Sequence, residues 1–219
     1  MPSYPIDEKN KVKRIPKRGH YDEATIYEIL DAGFLCHMGF THHDQPFVIP
    51  TSYGREGNKI YLHGATTSRM MVNMEKGLPI CLTVTHLDGL VLARSAFHHS
   101  MNYRSAVCFG TAKKIEGAEK LHALKVISDQ ILKDRWEESR QPLPKELKAT
   151  TVLCMTIDQA SAKIRTGPPG DDKPDYALPI WAGVVPCQQV WGEPESDPLL
   201  TEGIEVAESA KALYKRTIS

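Results

Sequence analysis

Short apolar segments follow one another along much of this chain, and polar turns of a few residues separate most of them. FLCHMGF, QPFVIPTSYG and NKIYLHG have strand patterns and are divided by the turns THHD and GREGN. PICLTVT, LVLARSAF and YRSAVCFGTAKKIE come later, with the first two joined at HLDG. Connections this short favour antiparallel pairing, because parallel strands need a crossover of a dozen residues or more. The sequence therefore predicts a mainly β fold, an antiparallel meander or small barrel with helices packed outside it.

Helical patterns interrupt the strands at a few points. Asp22 is the expected N-cap of a short helix that buries Ile26, Ile29 and Leu30 and stops at Gly33. A second short helix is predicted in SRMMVNMEKG, directly after the strand KIYLHG.

The second half of the chain has a longer helical pattern, AEKLHALKVISDQILKDRW, and its apolar face is predicted to carry Leu121, Leu124, Ile127 and Ile131. A seventh strand, TTVLCMTIDQASAKIR, precedes a tail rich in Pro and Gly that ends in a helix near residues 202–215.

Charge and cysteine content exclude several classes of protein. Lys+Arg and Asp+Glu both number 27, so there is no overall attraction to nucleic acid or to an anionic membrane. No apolar run approaches the roughly 18 residues of a membrane-spanning helix, and the N-terminal residues lack the apolar core of a secretory signal. The five cysteines form no CxxC pair, and four of them lie in apolar strands, as reduced core thiols do. We therefore expect a cytoplasmic protein without a zinc site or disulfides.

The stretch KIYLHGATTSRMMVNM combines a strand, a turn and the beginning of a helix. A helix N-terminus offers free N–H groups to an anion, and Ser68 and Arg69 would add a hydroxyl and a bidentate guanidinium suited to phosphate. The alternative is that Thr67 or Ser68 only caps the helix while Arg69 is solvated. His63, at the strand end, is either a functional proton donor or a core histidine bonded to a neighbouring strand.

Two pairs of adjacent histidines also need an interpretation. His42 and His43 precede Asp44 in a predicted hairpin turn, where a solvated turn is favoured over a metal site. His98 and His99 lie shortly before Tyr103, and a role near a cofactor stays open for them.

The order of VIPTSYG, KIYLHGATTSRM, PICLTVT and HSMNYRSAVCFGTAKKIEG resembles the pyridoxamine-phosphate-oxidase-like flavoproteins, most of all the branch of nitroimidazole-resistance (Nim-type) reductases. The resemblance covers roughly residues 18–166. It implies a six-stranded antiparallel split β-barrel that forms a homodimer with two FMN molecules at the interface. The domains expected are a basic arm (1–20), the FMN-binding barrel (21–166) and a C-terminal extension (167–219) that packs on the barrel or on the dimer partner.

The resemblance also implies roles for individual residues. Ser68 and Arg69 match the phosphate clamp of the family, and His63, beside Gly64, matches a histidine that faces flavin and substrate. The residues whose backbone would line the flavin ring are Pro50, Thr51, Ser52 and Tyr53. The segment that would approach the cofactor, from the partner subunit, is Tyr103, Arg104 and Ser105.

Other positions depart from the oxidases that act on vitamin B6. Met70 stands where those enzymes carry a second basic residue, and their C-terminal Trp and Arg motifs are not identifiable here. The function implied is an FMN-dependent oxidoreductase that passes electrons from a reduced nicotinamide to a small organic acceptor. The alternative is a flavin-nucleotide-binding or haem-binding protein without steady turnover, and a deazaflavin such as coenzyme F420 is another possible cofactor.

Overall fold

The predicted strands form one antiparallel sheet in the computed structural model, which describes residues 2–218 and the side chains of residues 2–215. Met1 and Ser219, the ends of the predicted arm and tail, lie outside the described residues. Within that range the sheet has nine strands: β1 (Gly19–His20), β2 (Leu35–His42), β3 (Gln45–Ser52), β4 (Gly54–Glu56), β5 (Lys59–Ala65), β6 (Pro79–Leu92), β7 (Ser100–Lys114), β8 (Thr150–Arg165) and β9 (Gly183–Pro186).

The pairings of these strands follow the order β3-β2-β6-β7-β8-β5-β4, with β1 beside β8 and β9 beside β6. The mainly β, antiparallel class is therefore confirmed. The pairings run along an open path, although the sheet curls enough for β3 to approach β5. Closure as a six-stranded barrel stays a prediction.

Strand β3 lies at one end of this path and pairs on one side with β2, from Leu35 opposite Ser52 to His42 opposite Gln45. The turn between them, at His43 and Asp44, has positive φ angles of 49° and 61°. Two such residues form the tight turn that matches the twist of a hairpin, so the solvated turn predicted at this point is confirmed.

The structure contains five helices within residues 2–218, and the first four contact the sheet: α1 (Glu23–Asp31), α2 (Arg69–Met74), α3 (Gly117–Ile131), α4 (Pro144–Ala149) and α5 (Glu208–Ile218). Asp22 caps α1 as predicted, because its carboxylate accepts a hydrogen bond of 2.8 Å from the Thr25 N–H. Ile26, Ile29 and Leu30 are buried on the inner face of α1. Each helix within residues 2–218 is too short or too polar to cross a membrane.

The predicted buried face of α3 is only partly right. Ile127 is buried, but Leu121 and Ile131 are each 40% exposed, and Lys120 and Ala123 are buried in their place. A Cβ atom on Gly54 would lie 2.7 Å from the Ile127 backbone nitrogen, so helix and strand are in backbone contact. Such a close approach favours a small residue such as Ala123 at the interface, a preference that apolar periodicity does not reveal.

The two strands predicted on either side of Asp88 are in fact one strand, β6. Its pairing with β7 shifts in register between Leu87 and Gly89, so Asp88 is an extra residue in a β-bulge. The predicted hairpin turn at Asp88-Gly89 is therefore wrong. The carboxylate of Asp88 pairs with Arg104 on β7, and this contact gives the acidic residue a partner inside the sheet.

The N-terminal arm and the tail both contact the sheet or core of their own chain. Tyr4 belongs to the main core, and the buried Asn10 amide donates to the carbonyls of Pro5 (2.8 Å) and Ala160 (3.1 Å). In the tail, β9 extends the sheet beside β6, and the Trp191 ring stacks at 6.2 Å from the ring of Phe34. Packing of the tail on a dimer partner stays a prediction.

Candidate functional site

The link between β5 and α2 contains the serine and arginine predicted to bind phosphate. The Ser68 N–H donates to the Ala65 carbonyl (2.9 Å), and its own carbonyl accepts from the Val72 N–H (2.9 Å). Its hydroxyl makes no capping hydrogen bond. The backbone alone thus forms the beginning of α2, and the Ser68 hydroxyl stays available to a ligand.

Arg69 is exposed, and its guanidinium lies over the ring of Phe47 on β3, 4.9 Å from the ring centre. Among the ion pairs within residues 2–218, none includes Arg69. The aromatic contact fixes the side chain beside the edge strand without neutralising its charge. Because α2 has only six residues, this charge, rather than the helix dipole, would attract an anion here.

Gly64 allows α2 to approach β5. A Cβ atom at this position would lie 2.8 Å from Met71 Cγ, on the buried side of α2, and 4.0 Å from Ser68 Cβ. The structure therefore brings Gly64 and Ser68 together. The close packing of α2 on β5 explains why position 64 is a glycine. A side chain at position 64 would displace Met71 and with it the clamp residues that follow β5.

His63 lies on β5 opposite Val152 of β8. Successive side chains of a strand point to opposite faces of the sheet. His63 therefore lies on the face opposite to Leu62, which belongs to the main core, and on the same face as Tyr61, which packs under α3. The Nδ1 atom of His63 is buried and has no hydrogen-bond partner within the described residues. Burial lowers the pKa of His63, so the ring is held neutral with one unpaired nitrogen. A core histidine bonded to its neighbour, the other interpretation considered above, would have a partner for this atom.

The residues expected to line a flavin ring occupy the end of β3. Pro50 has no N–H to donate, and the Tyr53 N–H donates to the Phe34 carbonyl at 3.1 Å. Because N–H groups alternate in direction along a strand, the Thr51 N–H also faces β2, and Ser52 is the residue whose N–H points away from it. The Tyr53 side chain is buried, and its hydroxyl donates to the Leu30 carbonyl, so it belongs to the core. Burial also raises the pKa of Tyr53. The side chain and the N–H group of Tyr53 therefore both have partners within the chain.

Tyr103, Arg104 and Ser105 lie together on β7, but Arg104 already has a partner. Its guanidinium forms a bidentate ion pair with Asp88, with distances of 2.8 Å from Nη2 to Oδ1 and 3.0 Å from Nε to Oδ2. This guanidinium lowers the pKa of Asp88. Ser105 donates from its hydroxyl to the Lys163 carbonyl at 3.3 Å. Arg104 is thus neutralised, unlike Arg69.

The predicted site residues fall into two groups along β8. His63 pairs with its residue Val152, and Tyr103 pairs with its residue Arg165. Thirteen residues of strand separate those positions, about 40 Å of extended chain. The structure brings Gly64, Ser68 and Arg69 together, but within one chain it does not bring Tyr103 to His63.

A residue that sequence reasoning missed is Arg165, which lies at the end of the predicted seventh strand. It is only 7% exposed and lines a cleft with Arg18, His98 and His99. The signal in the sequence that could have identified Arg165 is its position as a charged residue at the end of an apolar strand. Within residues 2–218 no group of three or more His, Cys, Asp and Glu side chains is placed to hold a metal ion.

Comparison with known proteins shows the family to which the chain belongs. The family model described as pyridoxamine 5'-phosphate oxidase matches residues 22–164. The chain belongs to this family. The match covers nearly the whole range of the resemblance noted in the sequence, so that resemblance is confirmed. Searching the curated proteins gave no match.

Two solved structures match nearly the full length of the chain. The flavocytochrome Anf3 from Azotobacter vinelandii is 40% identical, with a TM-score of 0.90, over 97% of this chain and 99% of its own. A FAD- and haem-binding protein from Mycobacterium smegmatis is 33% identical, with a TM-score of 0.86, over 90% of this chain and 97% of its own. A proposed 5-nitroimidazole antibiotic resistance protein from Bacteroides thetaiotaomicron VPI-5482 is 26% identical, with a TM-score of 0.56, over 65% of this chain and 84% of its own.

Proposed function

We propose that this protein is a flavin-dependent oxidoreductase that takes electrons from a reduced nicotinamide and passes them to a small organic acceptor. The observation that carries the proposal is the 40% identity to a flavocytochrome over 97% of the chain. Membership of the pyridoxamine 5'-phosphate oxidase family favours FMN as the flavin, bound to a split barrel. The flavin supplies the redox chemistry when it is bound, so the protein needs no catalytic triad of its own.

The free side chains of the site fit the phosphate end of FMN. Ser68 would donate its hydroxyl to the phosphate, and Arg69 would donate two parallel N–H bonds from a guanidinium that lacks an acidic partner. Thr51 lies four residues from Phe47, about 13 Å along β3. The N–H group of the next residue, Ser52, points away from β2 and would then hold the polar edge of the ring.

His63 would act beside the reacting edge of the ring. Burial keeps its imidazole neutral, and Nδ1 has no partner among the residues that the structure describes, so this atom can accept a hydrogen bond or carry a proton. A neutral ring at this point also avoids placing an unpaired positive charge in an apolar site.

We further propose a cytoplasmic homodimer with the cofactor at its interface. The separation between His63 and Tyr103 along β8 supports this arrangement, because a partner subunit could supply the Tyr103 segment that the same chain keeps away. The cysteines are free thiols, and burial raises the pKa of Cys36 and Cys108 to about 12. Unreactive reduced thiols fit a reducing compartment.

A second candidate function is a haem-containing flavoprotein, in which turnover with a nicotinamide need not occur. It is favoured by the haem-binding relative and by His63, because a neutral imidazole with an unpaired nitrogen is the form that ligates iron. The residues present therefore fit a haem as well as a flavin. Its test is the absorption spectrum of the purified protein, where a Soret band that His63→Ala removes would support it.

The phosphate assignment is tested by measuring FMN affinity in Arg69→Ala, with Lys76→Ala as the control. Lys76 is an exposed cation just after α2 and lies outside the proposed site. A charge-assisted hydrogen bond contributes about 1.5–3 kcal/mol, so Arg69→Ala should weaken FMN binding by about 10-fold to 100-fold. Equal affinities in the two variants would refute the clamp.

Turnover needs a separate measurement. Stopped-flow reduction of the bound flavin by NADH and by NADPH, followed by reoxidation with a nitroaromatic acceptor, should show both half-reactions. A flavin that neither nucleotide reduces would exclude the oxidoreductase and leave the cofactor-binding alternative.

A further inference from the structure

A second cleft lies away from the β5–α2 link, where the N-terminal arm meets the end of β8. Its volume is about 420 Å³. One wall is the short 3-10 helix Pro16–Arg18 of the arm, and the opposite wall is the 3-10 turn Ala96–His98 that links β6 to β7. The lining residues are Arg14, Ile15, Arg18, Phe97, His98, His99, Ser100, Arg165 and Gly170.

The buried arginine of this cleft carries a charge that its contacts do not neutralise. Arg165 is 7% exposed, and its guanidinium donates to Asn102 Oδ1 and to the carbonyls of Gly167 and Pro168, the latter two at 3.3 Å. All three acceptors are neutral oxygens. Burial and the neighbouring charge of Arg18 both lower the pKa of Arg165. A buried charge with a like charge beside it is costly, and an anion in the cleft would offset that cost.

The other two arginines of the cleft are also without acidic partners. Neither Arg14 nor Arg18 takes part in an ion pair within residues 2–218. Of the two acidic residues nearby, Asp171 is paired with Arg94 at 3.1 Å. Asp172 is exposed, 3.4 Å from His98 Nε2. Three guanidiniums therefore face a cleft whose lining contains no carboxylate.

The arm has an unfavourable backbone conformation at Ile15, one of the residues that line the cleft. Ile15 has a φ of 54°, in the left-handed region that a β-branched residue rarely adopts. The Arg18 N–H donates to the Ile15 carbonyl at 3.0 Å, which closes the turn and sets Arg14 and Arg18 on either side of Ile15. Strain of this kind clusters at ligand sites, because the surrounding structure must maintain it.

One aromatic ring stands at the rim of the cleft. Phe97 is 89% exposed, and its ring meets that of His98 edge-on at 5.3 Å. An almost fully exposed phenylalanine beside a group of cations is suited to stack on a flat ring while the cations bind attached phosphates.

We propose that this cleft binds the adenosine diphosphate moiety of a dinucleotide, with Arg14, Arg18 and Arg165 on the phosphates and Phe97 against the adenine. The site is separate from the Ser68–Arg69 clamp, since the two lie at opposite ends of β8. Adenosine diphosphate is the part that nicotinamide dinucleotides and FAD have in common, so either could be its source. An FAD in the cleft would place its flavin at the clamp of a partner subunit, because the clamp of the same chain lies about 40 Å away along β8. The inference stands on the cleft itself and does not require the proposed function.

The test is the binding of ADP to the full-length protein as purified, measured by isothermal titration calorimetry. Arg18→Gln should weaken ADP binding at least tenfold, and Phe97→Ala should weaken it several-fold. Lys17→Gln is the matched control, because Lys17 is an exposed cation in the same 3-10 helix and does not line the cleft. Adenosine, which lacks the phosphates, should bind at least tenfold more weakly than ADP.

Two further measurements distinguish the sources. If Arg18→Gln raises the Kd for NADH and leaves flavin content unchanged, the cleft holds the electron donor. If it reduces retention of FAD but not of FMN, the cleft holds the adenylate half of FAD. Either result supports the proposal. Equal ADP affinities in Arg18→Gln and Lys17→Gln, or no ADP binding by unmodified protein that contains no bound FAD, would overturn it. Because the ADP measurement needs no flavin, its failure is distinct from that of the proposed function.

Discussion

Replacing His63 by leucine is expected to stabilise this protein while impairing the site to which the residue belongs. The reason is the buried Nδ1 atom, which has no hydrogen-bond partner within the described residues. A polar atom removed from water without a partner loses its hydration and gains nothing in return. Leucine would keep apolar contact with the face that His63 shares with Tyr61 and would remove the unpaired nitrogen.

The size of the effect follows from the cost of such an atom, about 1–3 kcal/mol. Leucine does not reproduce every contact of the imidazole, so we expect a gain of about 1–2 kcal/mol in the free energy of unfolding. For a chain of this length each kcal/mol shifts the Tm by about 2–4 °C, which gives a rise of about 2–8 °C.

The gain should also depend on pH, with a sign fixed by the lowered pKa of His63. Below the ordinary histidine pKa of about 6.5 the unfolded chain binds a proton that the folded state does not. The native protein therefore loses stability as pH falls below about 6.5, and His63→Leu removes this loss. The difference between the two proteins should be larger at pH 5.5 than at pH 8.

Urea unfolding followed by circular dichroism at both pH values measures this difference. His37→Leu is the control, since His37 is exposed on β2 and its replacement should change stability by less than about 0.5 kcal/mol. A His63→Leu protein less stable than the native one at both pH values would show that Nδ1 has a stabilising partner, and the reasoning would fail.

Three further outcomes are expected from contacts away from the site. Gly54→Ala should cost about 2–3 kcal/mol in urea unfolding, because the new Cβ would meet the backbone of α3, whereas Gly192→Ala, in open space, should be neutral. Asp88→Asn should cost about 1 kcal/mol at pH 7, and the loss should shrink as pH falls below about 4, because protonation of the native carboxylate then weakens its pair with Arg104. A constant difference from pH 7 to pH 3 would contradict this. Asn10→Ala removes the hydrogen bond that joins the arm to the Ala160 carbonyl of β8, so trypsin should cleave the basic arm faster; unchanged cleavage would show that other contacts hold it.

The features that the sequence predicted correctly are those determined by neighbouring residues. The Asp22 cap and the buried face of α1 depend on spacing within one turn or two, and the turn at His43 depends on two residues. The errors arose where distant contacts decide the structure. Asp88-Gly89 has the composition of a hairpin turn, but pairing of β6 with β7 on both sides of it converts the turn into a bulge.

The candidate site shows the same division. Ser68 and Arg69 could be selected from their position before a helix, and the structure leaves both without a partner that would disqualify them. Arg104 could not be judged in this way, because its neutralisation by Asp88 depends on a register shift between two strands. Arg165 escaped notice because its burial results from the fold of the arm and of the β6–β7 connection over the end of β8.

The edge strand β3 has a consequence for the behaviour of the protein at high concentration. An edge strand normally exposes N–H and C=O groups that can recruit a strand from another molecule and begin aggregation. Pro46 and Pro50 both lie in β3, and proline cannot donate to a β ladder. The same edge that would receive a flavin ring is thus a poor template for amyloid-like growth, so it can stay uncovered in a crowded cell until a small molecule fills it.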